Sequence, residues 1–246
     1  MTIKSDTWIR NQCIDPGFKV ELAGGGVEYA PAYPVNRQGM VGAHSISKKD
    51  DSFMPMISPF VGSNIREENG KRIISYGLSS YGYDVRLADK FKLFVPTEKI
   101  AIYPSDDDDC KHCITEKVIV DPLESDDYKR CLIDMSGDSV IIPPNSYLLG
   151  HTVEYFHIPD DVLVICVGKS TLARCGLAIN VTPIEPGFKG EVVIEISNMT
   201  SLPVRVHANQ GIAQFLFFQS DEVCSTSYSS KSGKYQGQTG ITLAKL

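Results

Sequence analysis

Residues 181–198 read VTPIEPGFKGEVVIEISN. Val192, Val193, Ile194 and Ile196 are β-branched, and Pro186-Gly187 and Gly190 punctuate the chain before them, so the second half is a strand entered from a turn. Successive side chains on a strand point to opposite faces. Val192, Ile194 and Ile196 then share one apolar face, and Glu191, Val193, Glu195 and Ser197 share the other. Glu195 sits in the middle of that second face. On alternation alone a solvated carboxylate is the favoured reading, and a working group is the alternative that other segments must argue for.

The same β pattern recurs on both sides of this stretch. YDVRLADKFKLF (83–94) alternates, VIIPPNSYLLGHTVEYF (140–156) gives two strands around Pro143-Pro144, and VRVHANQGIAQFLFF (204–218) gives two more broken at Gly211. VLVICV (162–167) is a continuous apolar run and reads as a strand buried on both faces. Ser5-Asp6 before TWIRNQC is a helix start. Many short strands at regular spacing predict an all-β barrel or jelly-roll-like fold in a single domain over 1–246.

Three segments depart from this pattern. Residues 14–53 are rich in Gly, Pro and small residues and read as a long loop or insertion holding one hairpin. Residues 98–117 form an acidic insertion with SDDDDCKHC (105–113) in it. The tail, 225–246, is polar and glycine-rich, and is mobile unless something holds it.

Composition narrows the function. The chain has 246 residues and a formal net charge of −6, which argues against a broad nucleic-acid face. No apolar run reaches the roughly 18 residues of a membrane span, and the N-terminus lacks an apolar signal core. Seven scattered cysteines, with Cys166 and Cys175 read as buried thiols, fit a reducing compartment, so the expected location is cytoplasmic. Cys110-x-x-Cys113 has half the spacing of a zinc site, but no second pair completes it. The H-x-E or C-x-E that zinc base deaminases place before P-C-x-x-C does not occur. The aspartates 106–109 are read as a solvated charge run.

VGKSTLARCG (167–176) ends a strand and opens a helical turn, placing Lys169, Ser170 and Thr171 where an anion is favoured. Arg174, four residues after Ser170, lies on the same face of that turn. Leu163 stands where a Walker motif needs Gly, so a P-loop is excluded. In the tail, Tyr228, Lys234, Tyr235 and Gln238 offer rings, a cation and amides on a strap that can act as a lid.

Taken together, GKSTLARCGLAINVTPIEPGFKGEVVIEISN (168–198), ANQGIAQFLFF (208–218) and GKYQGQTGITL (233–243) resemble the dCTP deaminases of the trimeric dUTPase superfamily. IKSDTWIR (3–10), ISYGLSSYGYDVRLADKFKLF (74–94) and IIPPNSYLLGHTVEYFHIPDDVL (141–163) are similar to the same family. The resemblance implies a mainly β, dUTPase-like distorted jelly-roll with a few short helices, assembled as a homotrimer with active sites shared between subunits. It implies hydrolytic deamination of dCTP to dUTP and ammonia, without zinc, with Mg²⁺ arriving on the substrate triphosphate. Feedback inhibition by dTTP is a further expectation with no residue attached. The family's catalytic glutamate falls on Glu195. Its phosphate- and base-contacting segment falls on Lys169, Ser170, Thr171, Leu172, Ala173 and Arg174, and its strand contacts on Val193 and Ile194. The glutamine of IAQ falls on Gln214, and the tail contacts fall on Tyr228, Lys234 and Gln238.

These expectations assign Glu195 as proton shuttle, Ser170 and Arg174 as groups that orient water and glutamate, and Arg174 as the cation that keeps Glu195 ionised. Lys169, Thr171, Lys234 and Gln238 are assigned to the phosphates. Two other readings stand beside this one. One is a dUTP diphosphatase or bifunctional enzyme, against which Thr182-Pro183 and Glu185 replace the usual GVIDxxYRG-like segment. The other is a non-catalytic nucleotide-binding barrel.

Overall fold

Strand β17 (Lys189–Asn198) is the spine of the structure and alternates throughout, with Val192, Ile194 and Ile196 buried and Glu191, Val193, Glu195 and Ser197 half-buried. The apolar face predicted from period two is therefore the core face. Asn198 ends the strand. Its side chain is 2% exposed, donates to the carbonyls of Ile142, Pro143 and Leu202, and accepts the Thr200 N–H, so a buried amide is fully satisfied at the turn.

The computed structural model describes residues 2–14, 19–21, 27–29, 54–95, 98–103, 112–117, 129, 131–180 and 182–245, with only the backbone described for 19–21, 27–29, 98–103 and 112–117. The strands before β17 are β1 (Thr2–Ile3), β2 (Lys19–Glu21), β3 (Val27–Tyr29), β4 (Ile57–Ser58), β5 (Asn64–Glu68), β6 (Lys71–Ser79), β7 (Gly82–Arg86) and β8 (Lys90–Phe94). They continue as β9 (Glu98–Tyr103), β10 (His112–Lys117), β11 (Leu132–Ser136), β12 (Ser139–Ile142), β13 (Tyr147–His157), β14 (Val162–Gly168), β15 (Leu177–Ile179) and β16 (Pro183–Ile184). After β17 come β18 (Val204–His207) and β19 (Gly211–Gln219), and among the described residues the helices of four residues or more are α1 (Asp6–Cys13) and α2 (Ser170–Ala173).

Two antiparallel sheets carry the core. One runs β16-β14-β19-β7-β6-β5 with β1 on β19, and the other runs β11-β8-β13-β17-β15 with β4 on β13. Phe215 of the first packs in a tilted arrangement against Phe156 of the second at 5.0 Å between ring centroids, and both are fully buried. Val162, Val164 and Cys166 meet Leu148, Val192, Ile194 and Ile196 in the same apolar cluster. The mainly β, jelly-roll-like architecture expected from the strand spacing is the one found. Helix α1 adds Ile9 and Cys13 to the core; its Ser5 cap makes no side-chain bond, and the Thr7 N–H goes to Asp6 Oδ1 instead, at 2.8 Å.

Three expectations are refined. Residues 19–21 and 27–29 pair as the one hairpin expected in the 14–53 insertion. The 98–117 insertion contains a second two-stranded ladder, β9 with β10; Asp106 to Asp109 and Cys110 lie outside the described residues. Strand β14 is not buried on both faces: Val162, Val164 and Cys166 are buried, whereas Leu163, Ile165 and Val167 are half-exposed, because one sheet covers only one face within a single chain. Among the described residues no helix is long and apolar enough to cross a membrane.

Candidate active site

The second face of β17 forms the floor of a cavity of about 710 Å³. Val193, Glu195 and Ser197 rise from β17, with Tyr147 and Leu149 beside them from β13, where Tyr147 pairs with Ser197 and Leu149 with Glu195. Thr182, Pro183 and Glu185 line the wall that leads out of β15. Tyr228, Tyr235, Gln238 and Thr242 come from the tail. A polar group on a strand face turned away from the core thus ends in a concave, largely apolar pocket rather than in open water.

Glu195 is half-buried there. Burial pushes its carboxyl above the ordinary carboxylate range, against a smaller opposing hydrogen bond from its own main chain. No cation among the described residues pairs with it. Cys166, 1% exposed, lies close enough to feel its charge, and burial first and Glu195 second push that thiol up to about 12, which makes it inert.

The main chain beside Glu195 is also presented to the cavity. The Glu191 N–H donates to Gln238 O at 3.0 Å, and the Glu195 carbonyl accepts the Asn180 N–H at 3.2 Å, both on the edge of β17 opposite β13. Strand residues two apart direct their main-chain groups to the same edge. Val193 therefore presents its N–H and C=O to the gap between those two contacts. Ile194, 1% exposed, points its side chain into the core, and its main-chain groups, one residue out of step with Val193, face β13 opposite Gly150.

The tail is held, not loose. Tyr228 N–H donates to Pro186 O at 2.8 Å, its ring packs on Phe188 at 5.8 Å, and its hydroxyl accepts the Tyr235 N–H at 3.0 Å. Gly237 N–H donates to Lys189 O at 2.7 Å, Gln236 bridges Gly187 and Lys189, and Gln238 Nε2 donates to Glu191 O at 2.7 Å. That last bond fixes the amide orientation of Gln238 and leaves its Oε1 buried with no partner among the described residues. The free group of Gln238 is thus an acceptor, which suits a donor on a ligand better than the phosphate oxygen first assigned to it. Lys234 is exposed, reaches the Lys245 carbonyl at 3.3 Å and does not line the cavity.

The second group of predicted residues lies elsewhere on the chain. Lys169 is half-buried and ion-paired with Asp84, which is 5% exposed, with Ser75 Oγ at 3.4 Å. Gln214, opposite Asp84 in the ladder, donates to Ser79 Oγ at 2.8 Å. Ser170, Thr171, Ala173 and Arg174 are exposed, and the Arg174 guanidinium donates back to Ser170 O at 3.2 Å. Leu172 is a core residue at 5% exposure, so only its main chain is open to a ligand. Thr171 borders a cleft of about 870 Å³ that also carries Arg66, Arg72, Arg205 and His207. Cys175 is on that cleft and exposed, not buried as its apolar neighbours suggested, because the short turn of α2 directs it outward.

Among the described residues, no hydrogen bond or ion pair joins Glu195 to Ser170 or Arg174 within one chain. The expectation that Arg174 keeps Glu195 ionised is accordingly not met inside a single chain, where burial acts in the opposite sense. Sequence reasoning missed Asp84 and His151 as partners and Tyr147 and Asn180 as cavity residues. Glu191 was legible by period two as sharing the face of Glu195; the others are brought in by long-range pairing that leaves no local pattern. No group of three His, Cys, Asp or Glu side chains among the described residues could hold a metal ion.

A family model described as dCTP deaminase-like matches residues 57–220. The dCTP deaminase of Azotobacter vinelandii (strain DJ) is 42% identical over 245 residues, covering 100% of this chain and 100% of its own length. That of Burkholderia cenocepacia (strain HI2424) is 51% identical over 191 residues, covering 77% of this chain and 90% of its own. Among solved structures, the 2'-deoxycytidine 5'-triphosphate deaminase from Agrobacterium tumefaciens superposes with a TM-score of 0.42 at 16% identity, over 58% of this chain and 40% of its own.

Proposed function

The chain belongs to the dCTP deaminase family, and on that premise we propose that it hydrolyses dCTP to dUTP and ammonia with Glu195 as the proton carrier. The observation that carries the reading is a half-buried carboxyl, raised by burial, on the floor of a cavity large enough for a nucleoside. Deamination adds water at C4 of cytosine and expels the amino group. Glu195 takes one proton from the attacking water and passes it to N3. It then carries the remaining hydroxyl proton to the amino group, which leaves as ammonia while C4 becomes a carbonyl. A carboxyl whose hold on a proton is strengthened by burial suits these two transfers.

The rest of the chain binds and orients. The N–H and C=O of Val193 face the base edge. Tyr228 and Tyr235 cover the cavity, and the unpartnered Gln238 Oε1 accepts a donor from the substrate. The 169–174 segment and Gln214 reach the substrate from a neighbouring copy in a homotrimer, which supplies to Glu195 a Ser170 hydroxyl and an Arg174 cation, groups it does not meet among the described residues of its own chain. Lys169, Thr171 and Lys234 face the triphosphate, which brings its own Mg²⁺.

The test is product analysis from dCTP, CTP, dCMP and dUTP with the wild type and Glu195→Gln. The expected result is dUTP and ammonia from dCTP, lost in the variant while assembly is kept. Near-normal turnover by a folded Glu195→Gln trimer would sink the role. Release of pyrophosphate with dUMP would establish the bifunctional reading, whose nearest carboxylate, Glu185, is ion-paired to Lys231 in the tail.

A further inference from the structure

Glu191 and Glu195 stand on one face of β17, separated by four residues and so by roughly 13 Å along the strand. Their surroundings are opposite. Glu195 has no charged partner among the described residues, whereas Glu191 is engaged through its Oε2, its main-chain N–H and its main-chain carbonyl. Its Oε2 accepts the Gly240 N–H at 2.6 Å and lies 2.9 Å from His151 Nδ1. Its main-chain N–H donates to Gln238 O, and its main-chain carbonyl accepts Gln238 Nε2. His151 is itself 8% exposed and fixed on β13, opposite Val193, so it holds the carboxylate in place from behind. Gly240 adopts φ +66°, a left-handed turn that aims its N–H at this oxygen. These donors outweigh burial and hold the Glu191 carboxyl below the ordinary carboxylate range, so it stays an anion.

We propose that Glu191 is a positioning residue that latches the tail closed over the Glu195 cavity, gripping Gly240 through its side chain and Gln238 through its main chain. The latch explains why Gln238 faces the cavity with its acceptor. The donor of the same amide is spent on Glu191, so latching the tail and aiming Gln238 are one act. The other carboxylate contact to the tail, Glu185 with Lys231, is about two-fifths exposed on both sides and of the kind that contributes little. The proposal rests on the reading of this cavity as the dCTP site.

Two readouts separate it from a purely structural role. In the full-length protein, Glu191→Ala should raise the KM for dCTP about tenfold or more, which is about 1.4 kcal/mol, with a smaller change in kcat and an unchanged Tm. Trypsin should cut at Lys231 and Lys234 faster in the variant than in the wild type. Glu191→Gln, which keeps the shape and one acceptor oxygen, should fall between the two and serves as the test if the alanine variant does not fold. An unchanged KM overturns the proposal, as does unchanged cleavage of the tail. Cleavage is measured without substrate, so a wild type that releases no ammonia from dCTP would refute the function assigned to the cavity while the latch is judged separately.

Discussion

Gly233 is the position at which the lid can be broken without touching the barrel. A Cβ built there would lie 2.2, 2.3 and 2.5 Å from three atoms of the Tyr228 ring. The ring cannot swing aside cheaply: it packs on Phe188, its hydroxyl holds the Tyr235 N–H, and its main chain is bound to Pro186. Gly233→Ala must therefore push Tyr228, and Tyr235 with it, off the cavity. Overpacking of this kind costs about 1–3 kcal/mol, and here the cost falls on tail docking alone. Since about 1.4 kcal/mol is a factor of ten, the docking equilibrium should fall roughly 5- to 150-fold. Substrate binding draws on the closed fraction only, so KM rises by up to that factor once the closed state is no longer dominant. The assay is steady-state ammonia release against dCTP concentration, beside a thermal melt and a trypsin time course. A wild-type KM with a protected tail would refute the reasoning. So would a fall in Tm by several degrees, which would mean that the tail belongs to the cooperative core.

Two further outcomes follow from Glu195 and its surroundings. Burial raises its carboxyl, so its contribution to folding is fully present below the ordinary carboxylate range and is lost as pH rises through the raised value. In an Arg174→Ala background, where no neighbouring cation opposes burial, Glu195→Gln, which cannot ionise, should then melt higher than the protein that keeps Glu195 at neutral pH, and the gap should close below about pH 4; a Glu195 protein that melts higher at pH 7 and above would contradict this. The separation of Glu195 from Ser170 and Arg174 predicts complementation: Glu195→Gln and Arg174→Ala, each inactive alone, should regain dCTP deamination when unfolded together and reassembled, and a mixture that stays inactive with its trimers intact would refute a site shared between chains.

What was legible in the sequence was local. The alternation of β17 fixed which side chains enter the core, because a strand has only two faces and Val192, Ile194 and Ile196 occupy one of them. The short turn α2 was legible from strand end, small residues and hydroxyls. Less legible was whatever depends on distant main chain. The tail is held by the carbonyls of Pro186 and Lys189 and the N–H of Glu191, main-chain groups that leave no side-chain signature, so composition suggested a loose strap. Lys169 looked like a free phosphate ligand until the fold placed Asp84 beside it, across 85 positions of chain. The run 162–167 suggested burial on both sides, since apolar content alone cannot say which face of a sheet is covered within the same chain.

That half-exposed face of β14 and the isolation of Glu195 bear on one question. Strand β14 runs directly into Lys169 and α2, so a surface that covers Leu163, Ile165 and Val167 also approaches the cradle at its end. A second copy docking there would bury the remaining apolar face and bring a cavity floor to Ser170 and Arg174 in one step. The chemistry asks for the same event. In the lone chain burial pushes Glu195 toward its protonated form, whereas taking a proton from water needs the ionised one. An arginine from a neighbour would oppose burial, and the two effects together would bring both forms within reach of the proposed proton carrier, which has to accept two protons and release two. On this reading assembly tunes the proton carrier as well as completing the walls around it.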